Sequence, residues 1–293
     1  MQCKHGIRCT EQECLFSPSH WSSSFKSPQM VIQSFITCMQ CCYQNNLRSI
    51  HLQQAIPYGD GNQKIDIWGD ENESNAGIVL LHGGYWKEGS RKLFTSPVNL
   101  LTNEGFVVAC VGYDFATVIP LREIIIQVRK AFILILFQKF LAGRWSSKKL
   151  LIAGHSAGAH LAIAALLSME NTSLYEKIVL FSGIYDLYPL VGTYIGNDIN
   201  LNWREAEIAS TVNLDGLSAK LLAIVAAEES PKFIEQSMRI VQNYLRKRPA
   251  LQLYDCCKII SNVDHFSLIT SLSDSDSESS KALLHFIQQK HLF

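Results

Sequence analysis

A serine sits between two glycines in Gly154-His155-Ser156-Ala157-Gly158, where an apolar run, LLIA, meets a small-residue stretch, AGAHLAIAALL. The pattern predicts a buried strand that turns sharply into a helix. Glycines two positions either side of the serine fit a turn too tight for side chains. Such a turn holds Ser156 in a strained conformation and thrusts its hydroxyl out of the sheet edge. The following helix offers backbone N–H groups at its N-terminus, where negative charge is favoured. The competing reading is a phosphate-binding turn. It needs G-x-G-x-x-G, which this stretch lacks.

A serine hydroxyl at neutral pH needs a base, and the base needs an orienting acid. In a sheet of this kind the chain order is serine, acid, histidine, the last two on loops after late strands. His265, in NVDHF, fits the base. His285 and His291 read as solvated residues of a terminal helix. His155 and His160 are too near Ser156 in the chain to turn back on it. The acid has several candidates: Glu228 and Glu229 after one strand, Asp186 after the previous one, and Asp264 beside the histidine. A single surface carboxylate more often has no such role.

A reaction that places negative charge on a tetrahedral oxygen needs fixed N–H donors. One is the backbone N–H of Ala157. A second is expected from LLHGGYWKEG, where an apolar strand breaks on His82-Gly83-Gly84. Glycines there let the backbone come close to a substrate. The N–H groups of Gly83 and Gly84, Gly84 foremost, are expected to face Ser156, with His82 pinning the loop. Tyr85 and Trp86 follow, either as rings for a flat substrate or as packing for the loop.

The elements that must hold these residues are legible from residue 77 onward. Short apolar runs alternate with helical segments: GIVLLHG, FVVACVGYD, KKLLIAGHS, EKIVLFSG, KLLAIVAAE and LQLYDCC. Runs apolar on both sides are buried on both faces, which implies a mostly parallel sheet flanked by helices. Two earlier strands, around 51–57 and 63–68, are expected to form a hairpin through GDGN. Residues 1–48 read as irregular and then helical. VRKAFILILFQKFL reads as a buried helix ending at Gly143. The expectation is one α/β domain over 1–293, with 184–212 as a candidate cap and SDSDSESS (273–280) as a solvated loop.

The 293 residues include 26 basic and 26 acidic side chains, so no net field draws nucleic acid or anionic lipid. The longest apolar run, Ala131–Phe137, is too short to span a bilayer. The N-terminus lacks an apolar leader, and nine scattered cysteines suggest reduced thiols in the cytosol. Cys3, His5, Cys9 and Cys14 lack paired C-x-x-C spacing, so no metal is expected there. Cys38, Cys41 and Cys42 read as buried or half-buried positions of a helix.

HGGYW together with GHSAGAH resembles the kynurenine formamidase (arylformamidase) family, in the hormone-sensitive-lipase-like branch of the α/β-hydrolases. The likeness extends over nearly the whole chain: SPSHW at 17–21, IPYGDG at 56–61, SGIYDL at 182–187, ESPKF at 229–233 and VDHF at 263–266. It implies an α/β-hydrolase fold and hydrolysis of N-formyl-L-kynurenine to L-kynurenine and formate, in tryptophan degradation. The implied nucleophile is Ser156, the base His265 and the acid Glu229, with Gly83, Gly84 and Ala157 as oxyanion donors. His82, Tyr85 and Trp86 complete the motif. The family reads Asp-Ser-Pro-x-Phe where this chain has Glu229 at the first place. No metal or organic cofactor is implied, and neither nucleic acid nor membrane is an expected partner. A homodimer is compatible with the resemblance, as is a cytosolic or nuclear site. A general carboxylesterase and a non-catalytic binding protein of the same fold are the alternatives.

Overall fold

The computed structural model describes residues 8–25, 27–70, 74, 76–135, 150–170 and 175–289. Its centre is an eight-stranded sheet in the order β1-β2-β4-β3-β5-β6-β7-β8. The strands are β1 (Leu52–Pro57), β2 (Lys64–Trp68), β3 (Ala76–Leu81), β4 (Phe106–Val111), β5 (Leu150–His155), β6 (Lys177–Phe181), β7 (Lys220–Ala226) and β8 (Cys257–Ile260). β1 and β2 form the expected antiparallel hairpin, and β2 pairs antiparallel with β4. From β4 onward every neighbouring pair is parallel.

Alternation along the strands sorts side chains onto two faces. Val79 and Leu81 of β3 and Ile152 of β5 join one apolar cluster. Ile78 and Leu80 of β3 and Leu151 of β5 join the other. This is the period of two that a strand imposes. Helices α1 (Glu11–Leu15) and α2 (Pro28–Ser49) precede the sheet, and α3 (Val98–Asn103), α4 (Leu121–Leu134) and α5 (Ala157–Leu167) follow in its first half. Short helices α6 (Tyr194–Asp198) and α7 (Trp203–Ala209) lie within the 184–212 stretch, and α8 (Pro231–Leu245) follows β7. Phe132 of α4, Leu161 of α5 and Phe233 of α8 pack on the first face. Met39 and Tyr43 of α2, Leu101 of α3 and Phe286 of the C-terminal helix pack on the second. Residues 157–166 of α5 are all buried, which explains a helix that is apolar all round.

Three expectations need correction. The last strand is Cys257–Ile260, while Leu253–Cys256 is a short helix. Gln252 and Asp255 cap that helix reciprocally, and this local bonding outweighs the strand-like composition of LQLYDCC. SDSDSESS is not a loop throughout. Ser277 caps the C-terminal helix, Glu278–Gln288, and Ser279 and Ser280 are buried. Cys41, expected at least half-buried, is exposed. The part of the VRKAFILILFQKFL helix beyond residue 135 falls outside the described residues, as do Cys3, His5 and His291.

Candidate active site

Ser156 caps α5 at φ 55° and ψ −120°, a left-handed conformation that a serine rarely adopts. The turn around it is as tight as the glycines imply. A Cβ on Gly154 would come 2.3 Å from the Gly158 carbonyl oxygen, and one on Gly158 would come 2.2 Å from that of Leu81. The strand–turn–helix junction therefore closes only with glycine at both places. The Ser156 N–H is spent on Phe181 O at 2.9 Å, fastening the turn to β6.

Two later loops bring His265 and Glu229 together. His265 Nδ1 lies 2.6 Å from Glu229 Oε2, and both side chains are buried. The Ser230 N–H donates to Glu229 Oε1 at 2.8 Å. With Nδ1 engaged, Nε2 is the ring nitrogen left for a second partner. Ser156 and His265 line the same cavity. No hydrogen bond joins the Ser156 hydroxyl to His265 in this geometry. Contacts of this kind commonly tighten only when substrate binds.

The other acid candidates are committed elsewhere. Glu228 is exposed and accepts from Ser23. Asp186 pairs with Arg239 at 3.2 Å and accepts from the Tyr188 N–H. Asp264 accepts from Ser22, Ser267 and the Phe266 N–H, bonds that pin the His265 loop. Burial pushes the Asp264 carboxyl up, but these hydrogen bonds outweigh it and hold it below its ordinary range.

The glycine loop after β3 lies against Ser156. A Cβ on Gly83 would be 3.1 Å from the Ser156 Cβ. Gly84 has φ +113°, and Tyr85 and Trp86 follow at φ 49° and 57°. Three successive left-handed residues are costly, and such strain is held only where surroundings impose it. Among the described residues the N–H groups of Gly83, Gly84 and Ala157 have no protein acceptor. His82 holds the loop from below. Its Nδ1 is 2.7 Å from Gly83 O, its ring stacks on Tyr113 at 4.3 Å, and the Tyr113 hydroxyl donates to His82 O. Burial lowers the His82 pKa to about 4, and that of His160 likewise. Burial, reinforced by His265, drives His155 well below its ordinary value.

Trp86 does not stand at the mouth of the site. It is fully buried, edge-on to His160 at 5.1 Å between centroids. The left-handed turn at residues 84–86 swings Tyr85 toward the cavity and Trp86 into the core. Of the two rings, Tyr85 lines the cavity and Trp86 does not.

The cavity holds about 480 Å³. Residues that motif reading missed form much of its wall: Ser17, Phe35, Lys87, Glu88 and Phe266, with Tyr194 from the candidate cap. Lys87 Nζ pairs with Asp198 at 2.7 Å, and Glu88 is exposed. The N-terminal segment is tied over the site by long-range bonds. Tyr85 donates to Phe16 O, Ser230 donates to Leu15 O, and the Ser17 and Tyr194 hydroxyls are 2.7 Å apart. The local signal of this was SPSHW, whose Ser17 precedes a 3-10 turn that opens on Pro18.

Among solved structures, a thioesterase described as putative, from Silicibacter sp. TM1040, superposes with TM-score 0.71 at 21% identity, over 88% of this chain and 94% of that one. A hormone-sensitive lipase from a metagenome library superposes with TM-score 0.65 at 18% identity, over 94% and 96%. The fold is that of an α/β-hydrolase. The BD-FAE family model matches residues 65–212. The kynurenine formamidase of Salmo salar is 30% identical over 94% of this chain and 95% of its own length. That of Drosophila melanogaster is 28% identical over 94% and 97%. The chain belongs to the kynurenine formamidase family, and is a hydrolase. No helix among the described residues is long and apolar enough to cross a membrane.

Proposed function

We propose that this chain hydrolyses N-formyl-L-kynurenine to L-kynurenine and formate, through Ser156, His265 and Glu229. The observation that carries the reading is the buried 2.6 Å contact of His265 with Glu229, on the cavity that also holds the strained Ser156. The names of the curated relatives supply the substrate class.

In this mechanism His265 Nε2 takes the Ser156 proton as Oγ attacks the formyl carbon. The carbonyl electron pair moves onto oxygen, which rests between the N–H groups of Gly84 and Ala157, with Gly83 beside them. Glu229 holds the imidazole in the needed tautomer and offsets its transient charge. Collapse breaks the C–N bond as His265 passes its proton to the aryl nitrogen. Water, deprotonated by His265, then attacks the formyl ester, releasing formate and restoring Ser156. Glutamate differs from aspartate by one methylene, and the loop around Glu229 accommodates it.

The cavity suits the leaving group. Phe35, Tyr85 and Phe266 offer ring faces and edges, and Lys87 and Glu88 bring both charge signs to the rim for a zwitterionic tail. Soluble small-molecule turnover in the cytosol, with no cofactor, is the corresponding cellular setting.

The test is kcat/KM for N-formyl-kynurenine against its N-acetyl analogue. A formyl carbon bears only hydrogen, so the added methyl should cost roughly 10–200-fold. Equal rates, with faster turnover of short aryl esters, would favour a general carboxylesterase.

A further inference from the structure

The segment that covers the cavity has little core of its own. It consists of a five-residue helix, α1, and a three-residue 3-10 turn at Pro18–His20. Helices so short are unstable in isolation. Three residues in this segment come together in space. A ligand-type atom of each of Cys9, Cys14 and His20 lies within 4.8 Å of the others. Cys14 is buried, and Cys9 and His20 are half-buried.

We infer that Cys9, Cys14 and His20 form a zinc site that staples the cavity-covering segment. Two thiolates and an imidazole are a donor set that selects zinc over the hard cations. Zinc–sulfur and zinc–nitrogen bonds of about 2.3 and 2.0 Å put tetrahedral ligands roughly 3.5–3.8 Å apart. The three atoms thus need to close by about 1 Å, which the half-buried Cys9 and His20 side chains can supply. Binding sends the two thiol protons to solvent, forms two Zn–S bonds and one Zn–N bond, and leaves the fourth position to water.

The placement gives the site a purpose. Cys14 and His20 bracket Leu15–Ser19. Within that stretch Leu15 and Phe16 accept from Ser230 and Tyr85, Phe16 packs on Phe233, and Ser17–Ser19 line the cavity. A metal across the two ends fixes the wall without taking part in the reaction. The spacing, Cys-x4-Cys-x5-His, lacks a tight knuckle because Cys9 precedes α1 and Cys14 sits within it, so sequence reading passed over it.

The test is titration of the full-length protein, stripped of metal and kept reduced by a phosphine, with Zn²⁺ and with Co²⁺. The expected result is one equivalent bound, with thiolate-to-cobalt charge transfer, tetrahedral ligand-field absorption and a higher melting temperature. In Cys9→Ser and in His20→Gln, each checked for folding by circular dichroism, affinity should fall at least about tenfold. Loss of an outer partner alone costs 10–100-fold, and a direct ligand costs no less. No uptake, a cobalt spectrum without thiolate character, or a smaller change in either variant would overturn the site. A signal surviving both substitutions, as Cys38 and Cys42 on α2 could produce, would overturn it as well.

Discussion

The two walls of the cavity are built by different physics. One wall is the carboxyl end of the sheet: Gly83 after β3, Ser156 after β5, Glu229 after β7 and His265 after β8. Each sits on a loop whose strand is hydrogen-bonded on both sides or fixed by buried partners such as Asp264. The opposite wall is the N-terminal segment and the candidate cap. It is held by side chains reaching backbone carbonyls far away in sequence, as Tyr85 reaches Phe16 and Gln12 reaches Pro189. On the proposed reading the first wall positions the reacting groups, and the second decides what can lie against them. Damage to the first should therefore show in kcat, and damage to the second mainly in KM.

Glu229→Gln is the sharpest way to break the first wall. It keeps the shape but removes the charge that faces His265, and kcat should fall on the order of 10³-fold or more. Glu228→Gln and Asp186→Asn should leave kcat within a few-fold, since neither touches His265. Steady-state kinetics of the three variants would separate them. An inactive Asp186→Asn with an active Glu229→Gln would move the acid to the loop after β6.

Acid should weaken the first wall before the second. His82 and His160 titrate at about 4 in the fold because they are fully buried, against about 6.5 in the unfolded chain. Between those values the unfolded chain binds more protons. Stability is thus complete above about pH 6.5 and drains as pH falls toward 4. Each imidazole accounts for up to about 3 kcal/mol of this loss. Melting temperatures across that interval should decline steadily, and His160→Gln should shrink the decline. A flat profile would mean that these rings are solvated.

The second wall gives the smallest effect. Lys87→Met should raise KM for N-formyl-kynurenine roughly tenfold, the worth of one hydrogen bond to a charged group. It should leave formanilide, which has no amino-acid tail, unchanged. Equal loss on both substrates would make Lys87 a structural partner of Asp198 instead.

The same contrast explains what the sequence could reveal. The parallel sheet, the hairpin and the sharp turn at Ser156 are local: apolar runs, Gly61 in a turn, and glycines flanking Ser156. Four carboxylates near late strands look alike in sequence; the resemblance singles out Glu229, and the fold sets that carboxylate against His265. The role of Trp86 stayed open between substrate ring and loop packing because nothing in HGGYW says which ring a left-handed turn sends inward. LQLYDCC misled because a reciprocal cap between Gln252 and Asp255 is as short-ranged as strand propensity. Ser17–Ser19 and Phe35 were illegible as cavity residues, since contacts spanning more than a hundred residues leave no periodicity behind.

The central claim is that one serine carries the reaction. Progressive labelling with a small fluorophosphonate, with the modified residue located by peptide mass spectrometry, tests it most directly. N-Formyl-kynurenine hydrolysis should fall in proportion to label at Ser156, and Ser156→Ala should take no label and lose about 10⁴-fold or more in kcat while staying folded. Full labelling of Ser156 with hydrolysis intact, or wild-type turnover by folded Ser156→Ala, would contradict the account.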